Sequence, residues 1–234
     1  MTSLALPARA VLDPVDGVRT SVEARRWLWP LLLLCISVSA HGTAYSLRWD
    51  PAPSVTGQLA ASGEMNRQSE AEIEEAIETA SRKALVGGIS KGVFVMPLTV
   101  LGLAALLWFV GWLFGVSAHF SKLMTVAAVA LLPIALFHFI YVACALFQHT
   151  LTDSQALRLV PSNLGMLPGL GPKLQRVLSG VDFFNLWSAG LLGLGFSAAT
   201  GMRRSRALVL AGVLYLMYVG VFLVGLPAMG GGAR

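Results

Sequence analysis

Five stretches of this sequence are each long and apolar enough to cross a hydrocarbon core, and they constrain the fold more than anything else in it. A helical span takes about 20 residues, and the runs fall at about 27–45, 93–115, 123–147, 183–201 and 206–226. None has an Asp, Glu, Lys or Arg in its interior. Backbone polar groups in lipid must be satisfied within the segment, so the runs read as helices and not as isolated strands. Soluble core helices of this length would show a polar face, and these do not. The expected fold is therefore all-α, a polytopic helical membrane protein with five transmembrane helices plus interfacial and loop helices. Composition agrees, because 56% of residues are hydrophobic and only 12% are charged, too apolar a balance for an ordinary soluble domain.

The net charge of +5 could suggest a polyanionic partner, but the basic residues are dispersed beside apolar runs instead of lining one polar face. That is a membrane pattern before it is a nucleic-acid one. The first run could pass for a signal peptide with a cleavage site at "SVSA". The segment before it is about 26 residues long and carries Asp13, Asp16 and Glu23, where a signal peptide needs a short basic start, so it is expected to be retained. Orientation follows from Lys and Arg near the span ends. Raw counts on the two sides are nearly equal, but with the N-terminus inside, the inner segments are much the shorter and so the denser in basic residues. The expected topology has a cytoplasmic N-terminal segment over 1–26, a five-span domain over 27–226 and a short outer tail over 227–234, with the C-terminus periplasmic. Arg25, Arg26, Arg203, Arg204 and Arg206 are the topology anchors. "MRRSR" then reads as a tight cytoplasmic turn whose guanidinium groups resist translocation and meet anionic headgroups. A nucleic-acid site would need a longer basic surface with stacking aromatics, and no nucleic-acid partner is expected.

The first outer loop contains "MNRQSEAEIEEAIETASRKALVGG". Ser69 with Glu72 makes a capping box, and Ile73, Ala76, Ile77, Ala80 and Ala84 fall on one face, so a helix is predicted near 69–86 with Gly87 as its stop. Glu78 stands four residues ahead of Arg82, a supporting pair. The acidic face, with Glu70, Glu74 and Glu78, suits docking against protein better than an anionic lipid surface, so the helix reads either as a solvated cap over its own bundle or as a docking surface for a partner. In the second outer loop Pro172 opens a short amphipathic helix near 172–180, expected on the interface. "DPVDGVRTSVEARRW" reads as another interfacial helix, leading to Trp27 and Trp29 at headgroup level.

Intramembrane ionisable groups usually mark ion paths or relays, and this chain has almost none. His138 and His149 share a helix face but lie roughly 16 Å apart along the axis, too far to hold one metal. His138 reads as an interhelical hydrogen-bonding group, and His41 and His119 as interfacial residues near span ends. Asp182 is the expected N-cap of span four. Cys35 and Cys144 lie in apolar runs and support neither a disulfide framework nor a metal motif. Nucleophile and phosphate-loop patterns are missing, so no enzyme activity, cofactor or metal is expected. The spans do carry small residues at packing spacing: Gly111 and Gly115 in span two, and Ala189, Gly193, Ser197 and Gly201 every four residues in span four. Pro133 is expected to kink span three.

Taken together, "LDPVDGVRTSVEARRWLWP", "LVGGISKGVFVMPL", "FSKLMTVAAVALLP" and "VDFFNLWSAGLLGLGFSAATGMRRSRA" resemble the Yip family of Ypt/Rab-interacting five-span membrane proteins in its bacterial form, over about residues 10–226. The resemblance implies a cytosolic N-terminus and no catalytic residues. Eukaryotic relatives have a longer cytosolic N-terminal region connected with Rab GTPases; here about 26 residues precede span one, and the aromatic-proline motif of that region is not present. Some bacterial relatives resemble accessory proteins of macrolide-exporter-type ABC transporters. The resulting expectation is a non-catalytic inner-membrane protein that assembles with itself or with others, such as an ABC exporter permease or adaptor. Lipid organisation or membrane shaping is the alternative, and small-molecule transport comes third because no charged or broken span marks a substrate site.

Overall fold

The computed structural model describes residues 12–221. The expected span residues 222–226, the tail 227–234 and the first part of the N-terminal segment lie outside them. The elements in chain order are α1 (Pro14–Glu23), α2 (Leu28–Arg48), α3 (Ala52–Ser62), α4 (Glu70–Ser90), a π-helical turn over Lys91–Val95, α5 (Met96–Leu113), α6 (Phe120–Ala130), α7 (Leu132–Leu146), α8 (Asp153–Arg158), α9 (Pro172–Ser179), α10 (Phe183–Thr200) and α11 (Arg204–Tyr218). Extended pairing among these residues is confined to two isolated bridges, Trp49 with Leu151 and Asn163 with Asp182.

Four helical runs are long and apolar enough to cross a membrane: Leu28–Arg48, Glu70–Leu113, Phe120–Leu146 and Arg204–Val221. The fifth expected span is helical as α10 but is not one of the four, because Asn185, Ser188, Ser197 and three glycines dilute its apolar content. Local signals act as the sequence predicts at several ends. The Glu72 backbone N–H donates to the Ser69 hydroxyl at 3.4 Å, while the Glu72 carboxylate accepts from the Ser69 N–H at 2.7 Å. Asp182 caps α10 by accepting the Asn185 N–H at 3.0 Å. Pro133 cannot extend the hydrogen-bond ladder of α6, and the helix breaks at Leu131 (φ −87°, ψ 0°) before resuming as α7.

Two expectations need correction. Gly87 does not stop the acidic helix: α4 continues through Gly87 and Gly88 and the π turn into α5, one run of 44 residues. Neither glycine takes a positive φ, so no left-handed cap forms there. The π turn has a cause in Pro97, which lacks an N–H and crowds the carbonyl four residues back. Widening the ladder by one residue just ahead of it, with the Met96 N–H on the Lys91 carbonyl, absorbs that defect. Second, the expectation that no span is broken does not hold, since the runs Glu70–Leu113 and Phe120–Leu146 both carry an interruption.

Close contacts group the chain into two units. In the first (described residues 12–34, 97–135 and 161–221), α10 packs against α1, α6 and α11. The N-terminal helix is not simply interfacial: Val18 and Val22 of α1 are fully buried against protein. Gly195 makes this possible, because a Cβ there would come within 2.8 Å of Val126 and 3.3 Å of Val18. A Cβ at Gly111 would likewise face the Phe196 ring at 3.7 Å. The Gly111 contact joins the ends of α5 and α10 and so brings the turns that follow them to one end of the unit. At the other end, Tyr215 of α11 donates to the Gly180 carbonyl just after α9, and Leu174 and Val177 leave the apolar face of α9 exposed.

The second unit comprises residues 35–96 and 136–160. Ala44, Tyr141, Ala145 and Leu151 form its small core. Here α2 and α4 cross in direct backbone contact at two glycines: a Cβ on Gly42 would lie 2.4 Å from the Gly88 Cα, and one on Gly88 would lie 2.6 Å from the Gly42 Cα. One turn on, Gly92 sits against Ser39 and the Cys35 carbonyl in the same way. α3 covers part of α4, so Ile73, Ala76, Ile77 and Ala80 are half-buried while Glu70, Glu74 and Glu78 are exposed.

Candidate functional site

Beside the Gly42–Gly88 crossing, the second unit holds a cavity of about 650 Å³. α2 contributes Val38, His41 and Tyr45, α4 and the π turn contribute Lys83, Gly87 and Lys91, α7 contributes His138 and Tyr141, and α8 contributes Asp153. The spacing is that of single helix faces: 38, 41 and 45 on α2, and 83, 87 and 91 in successive turns. Four elements thus bring a few polar groups together in a lining that is otherwise mostly apolar.

His138 Nδ1 lies 2.9 Å from His41 Nδ1. A hydrogen bond between two Nδ1 atoms requires one ring to donate and the other to accept, so the accepting ring is neutral and carries its proton on Nε2. His41 also stacks on Tyr141, with ring centroids 3.9 Å apart, which fixes its plane. The Tyr45 hydroxyl donates to Asp153 Oδ1 at 3.0 Å, and the Tyr45 ring stacks on Trp49. The Asp153 carboxylate is therefore already engaged. Lys83 and Lys91 form no ion pair with any described residue. Among the described residues no group of three or more His, Cys, Asp or Glu side chains is placed to hold a metal ion.

His138 makes an interhelical hydrogen bond, as read from the sequence, but its partner is His41, which the sequence suggested was only interfacial, and His149 is exposed. The pairing joins residues 97 positions apart on α2 and α7, so no local spacing could reveal it. The one available signal was that both histidines stand inside apolar runs, where each needs a hydrogen-bond partner.

The small residues divide by role. Gly193 packs on α11 of the same chain, where a Cβ would meet the Leu208 Cα at 2.9 Å, and Gly111 packs on Val116 and Phe196. Ala189 is half-buried on the same helix, and the Ser197 hydroxyl donates to the Met202 carbonyl at 2.7 Å, closing the turn. Gly115 and Gly201 do not serve the expected packing. They have φ of +67° and +76°, and a Cβ on either would meet nothing within 4 Å. Both terminate helices in the left-handed conformation that glycine adopts without strain. Arg25 and Arg26 are exposed in the turn after α1, and Arg203, Arg204 and Arg206 are exposed at the start of α11.

Helical runs with apolar stretches of spanning length, exposed apolar faces and arginine-bearing turns define a helical membrane protein. The Yip1 domain family model matches residues 8–225. The chain belongs to that family, the one its sequence motifs resemble. No curated protein and no solved structure gives a match.

Proposed function

We propose that this Yip family protein works without catalysis, as an assembly or accessory component among other proteins of a bacterial cytoplasmic membrane. The observation that carries the reading is the acidic row on α4. Glu70 and Glu74 are exposed and form no ion pair with a described residue, and Glu78 pairs only with the neighbouring Arg82 at 2.8 Å. The opposite face of α4 is occupied by α3, so the row is held outward on a rigid helix. Exposed like charges at helical spacing repel one another, and a basic protein surface relieves that repulsion while an anionic lipid surface increases it. An ABC exporter permease or adaptor is the partner class that the family resemblance favours.

The proposed topology has five spans, α10 included, with the N-terminus cytoplasmic and the C-terminus periplasmic. It is supported by the exposure of Arg25, Arg26, Arg203, Arg204 and Arg206 in or beside short turns, since basic residues in short loops stay on the cytoplasmic side. A gentle-detergent pull-down with crosslinkers placed at Glu70, Glu74 and Glu78 tests the function. Recovery of one membrane protein in near-stoichiometric amount, lost in Glu70→Lys/Glu74→Lys/Glu78→Lys, is expected. Retention of that partner by the charge-reversed protein, or recovery of only the chain itself and lipid, overturns the reading and favours lipid organisation, for which the exposed apolar face of α9 is the supporting feature.

A further inference from the structure

We propose that the cavity between α2, α4, α7 and α8 is a binding site for the phosphate group of an anionic ligand, with Lys83 and Lys91 as its charged contacts. The inference concerns a different surface from the acidic row and does not depend on the assembly reading.

Charge comes first. The cavity is lined by two ammonium groups and one carboxylate. Tyr45 already donates to that carboxylate, while neither lysine has an ion pair among the described residues. Both lysines are exposed and keep their hydration, and the lining carries more positive than negative charge. An anion is the complement that such a lining attracts. Geometry agrees. Lys83 and Lys91 are eight residues apart, roughly 12 Å along a helix axis, and two flexible four-carbon arms can close that distance on a single group placed between them. The wall at that midpoint is Gly87, where an added Cβ would meet nothing within 4 Å. The backbone there leaves room for a ligand, whereas the next residue, Gly88, is filled by α2.

The histidine pair adds a neutral polar group to the lining. In the histidine pair the accepting ring carries a proton on Nε2, so the pair as a whole keeps one N–H beyond the bond it makes internally. A phosphate monoester, with several strong acceptor oxygens and up to two negative charges, can use two ammonium groups and a neutral donor together. A volume of about 650 Å³ exceeds what bare phosphate needs and lies in the usual range for small organic ligands. Phosphate chemistry reaches a membrane protein from two sources, a lipid headgroup such as phosphatidate or a free phosphate in solution.

The test uses the full chain purified in a mild neutral detergent. Native mass spectrometry reads retention of added phosphatidate against phosphatidylcholine, and titration calorimetry reads binding of inorganic phosphate. Saturable binding of phosphatidate alone assigns the headgroup as ligand, and binding of inorganic phosphate assigns a free anion. Lys83→Gln/Lys91→Gln is expected to weaken whichever binding occurs by at least about tenfold, because each change removes a charge-assisted contact. Lys83→Arg/Lys91→Arg should keep most of it. Gly87→Leu is a variant that leaves the charges and removes no folded contact; it should block the cavity and abolish binding. Lys122→Gln, outside the cavity, should have no effect. The proposal fails if neither probe binds, if the glutamine pair and Gly87→Leu bind as tightly as the unmodified protein, or if Lys122→Gln weakens binding equally.

Discussion

Replacing Gly88 by alanine should destabilise the protein while the same change at Gly87, one residue earlier, should stabilise it. The two positions share a helix, and an alanine gains about 0.8–1 kcal/mol of helix propensity over glycine at either. That term cancels when the variants are compared with each other. What remains is the space each Cβ enters. At Gly87 it meets nothing within 4 Å; at Gly88 it would stand 2.6 Å from the Gly42 Cα, 2.8 Å from its carbonyl carbon and 3.1 Å from its oxygen. Carbon atoms pack best at about 3.5–4.0 Å, so α2 and α4 must part by about 1 Å. All three atoms are backbone, and no side-chain end can swing aside. Forcing extra carbon into a packed site costs about 1–3 kcal/mol, and the rigid neighbour puts Gly88→Ala in the upper half of that range. The two variants should therefore differ by about 2–3 kcal/mol, read from reversible unfolding of the purified protein in mixed micelles of mild and denaturing detergent. Gly42→Ala should behave like Gly88→Ala. Equal stabilities for Gly87→Ala and Gly88→Ala would refute the direct backbone crossing, and with it the geometry of the cavity beside it.

Other consequences can be measured in the same way. His138→Phe should cost about 1–3 kcal/mol, because it leaves a half-buried His41 nitrogen without its partner, while His41→Phe/His138→Phe should cost clearly less than the sum of the single changes; additivity within about 0.5 kcal/mol would show that the rings do not interact. Asp182→Ala should destabilise the start of α10 by about 0.5–2 kcal/mol, toward the upper end because the Ser162 hydroxyl also donates to this carboxylate, and Asp182→Asn should stay near the unmodified value. Glu72, in the polar first turn of α4 ahead of the apolar span, has its carboxyl held below the usual Glu range by the backbone N–H and hydroxyl of Ser69. A depressed carboxyl stabilises the folded form above its unfolded pKa, and that contribution is lost as pH falls through the lower folded value. Amide-exchange protection of the first turn of α4 should accordingly drop as pH falls below about 4; protection that stays constant to pH 2 would contradict the capping box.

Much of this protein is determined within a few residues of chain and was legible there. Apolar runs without charge can only be helices in lipid, so Leu28–Arg48, Phe120–Leu146 and the described part of the last span fall close to their expected places. Ser69, Asp182 and Pro133 act through backbone groups three or four positions away, and each does what the sequence suggests. Gly87 shows the limit: a glycine after a helical pattern signals a stop, yet whether the chain turns there depends on what approaches it. α2 occupies the adjacent Gly88, and the helix runs on into the apolar span. The small-residue series in α10 divides for the same reason, Gly193 meeting Leu208 and Gly201 closing the helix in a left-handed turn, two environments that identical spacing cannot distinguish. The cavity was least legible of all, because His41 and His138 meet across 97 positions and Tyr45 reaches Asp153 across 108. The sequence alone determines which segments are helical and which belong in a membrane, since those are local balances of hydrogen bonding and solvation. Which helix face meets which, and so which histidines and lysines share one cavity, is decided only by tertiary packing, because a contact between distant segments leaves no periodic trace in either.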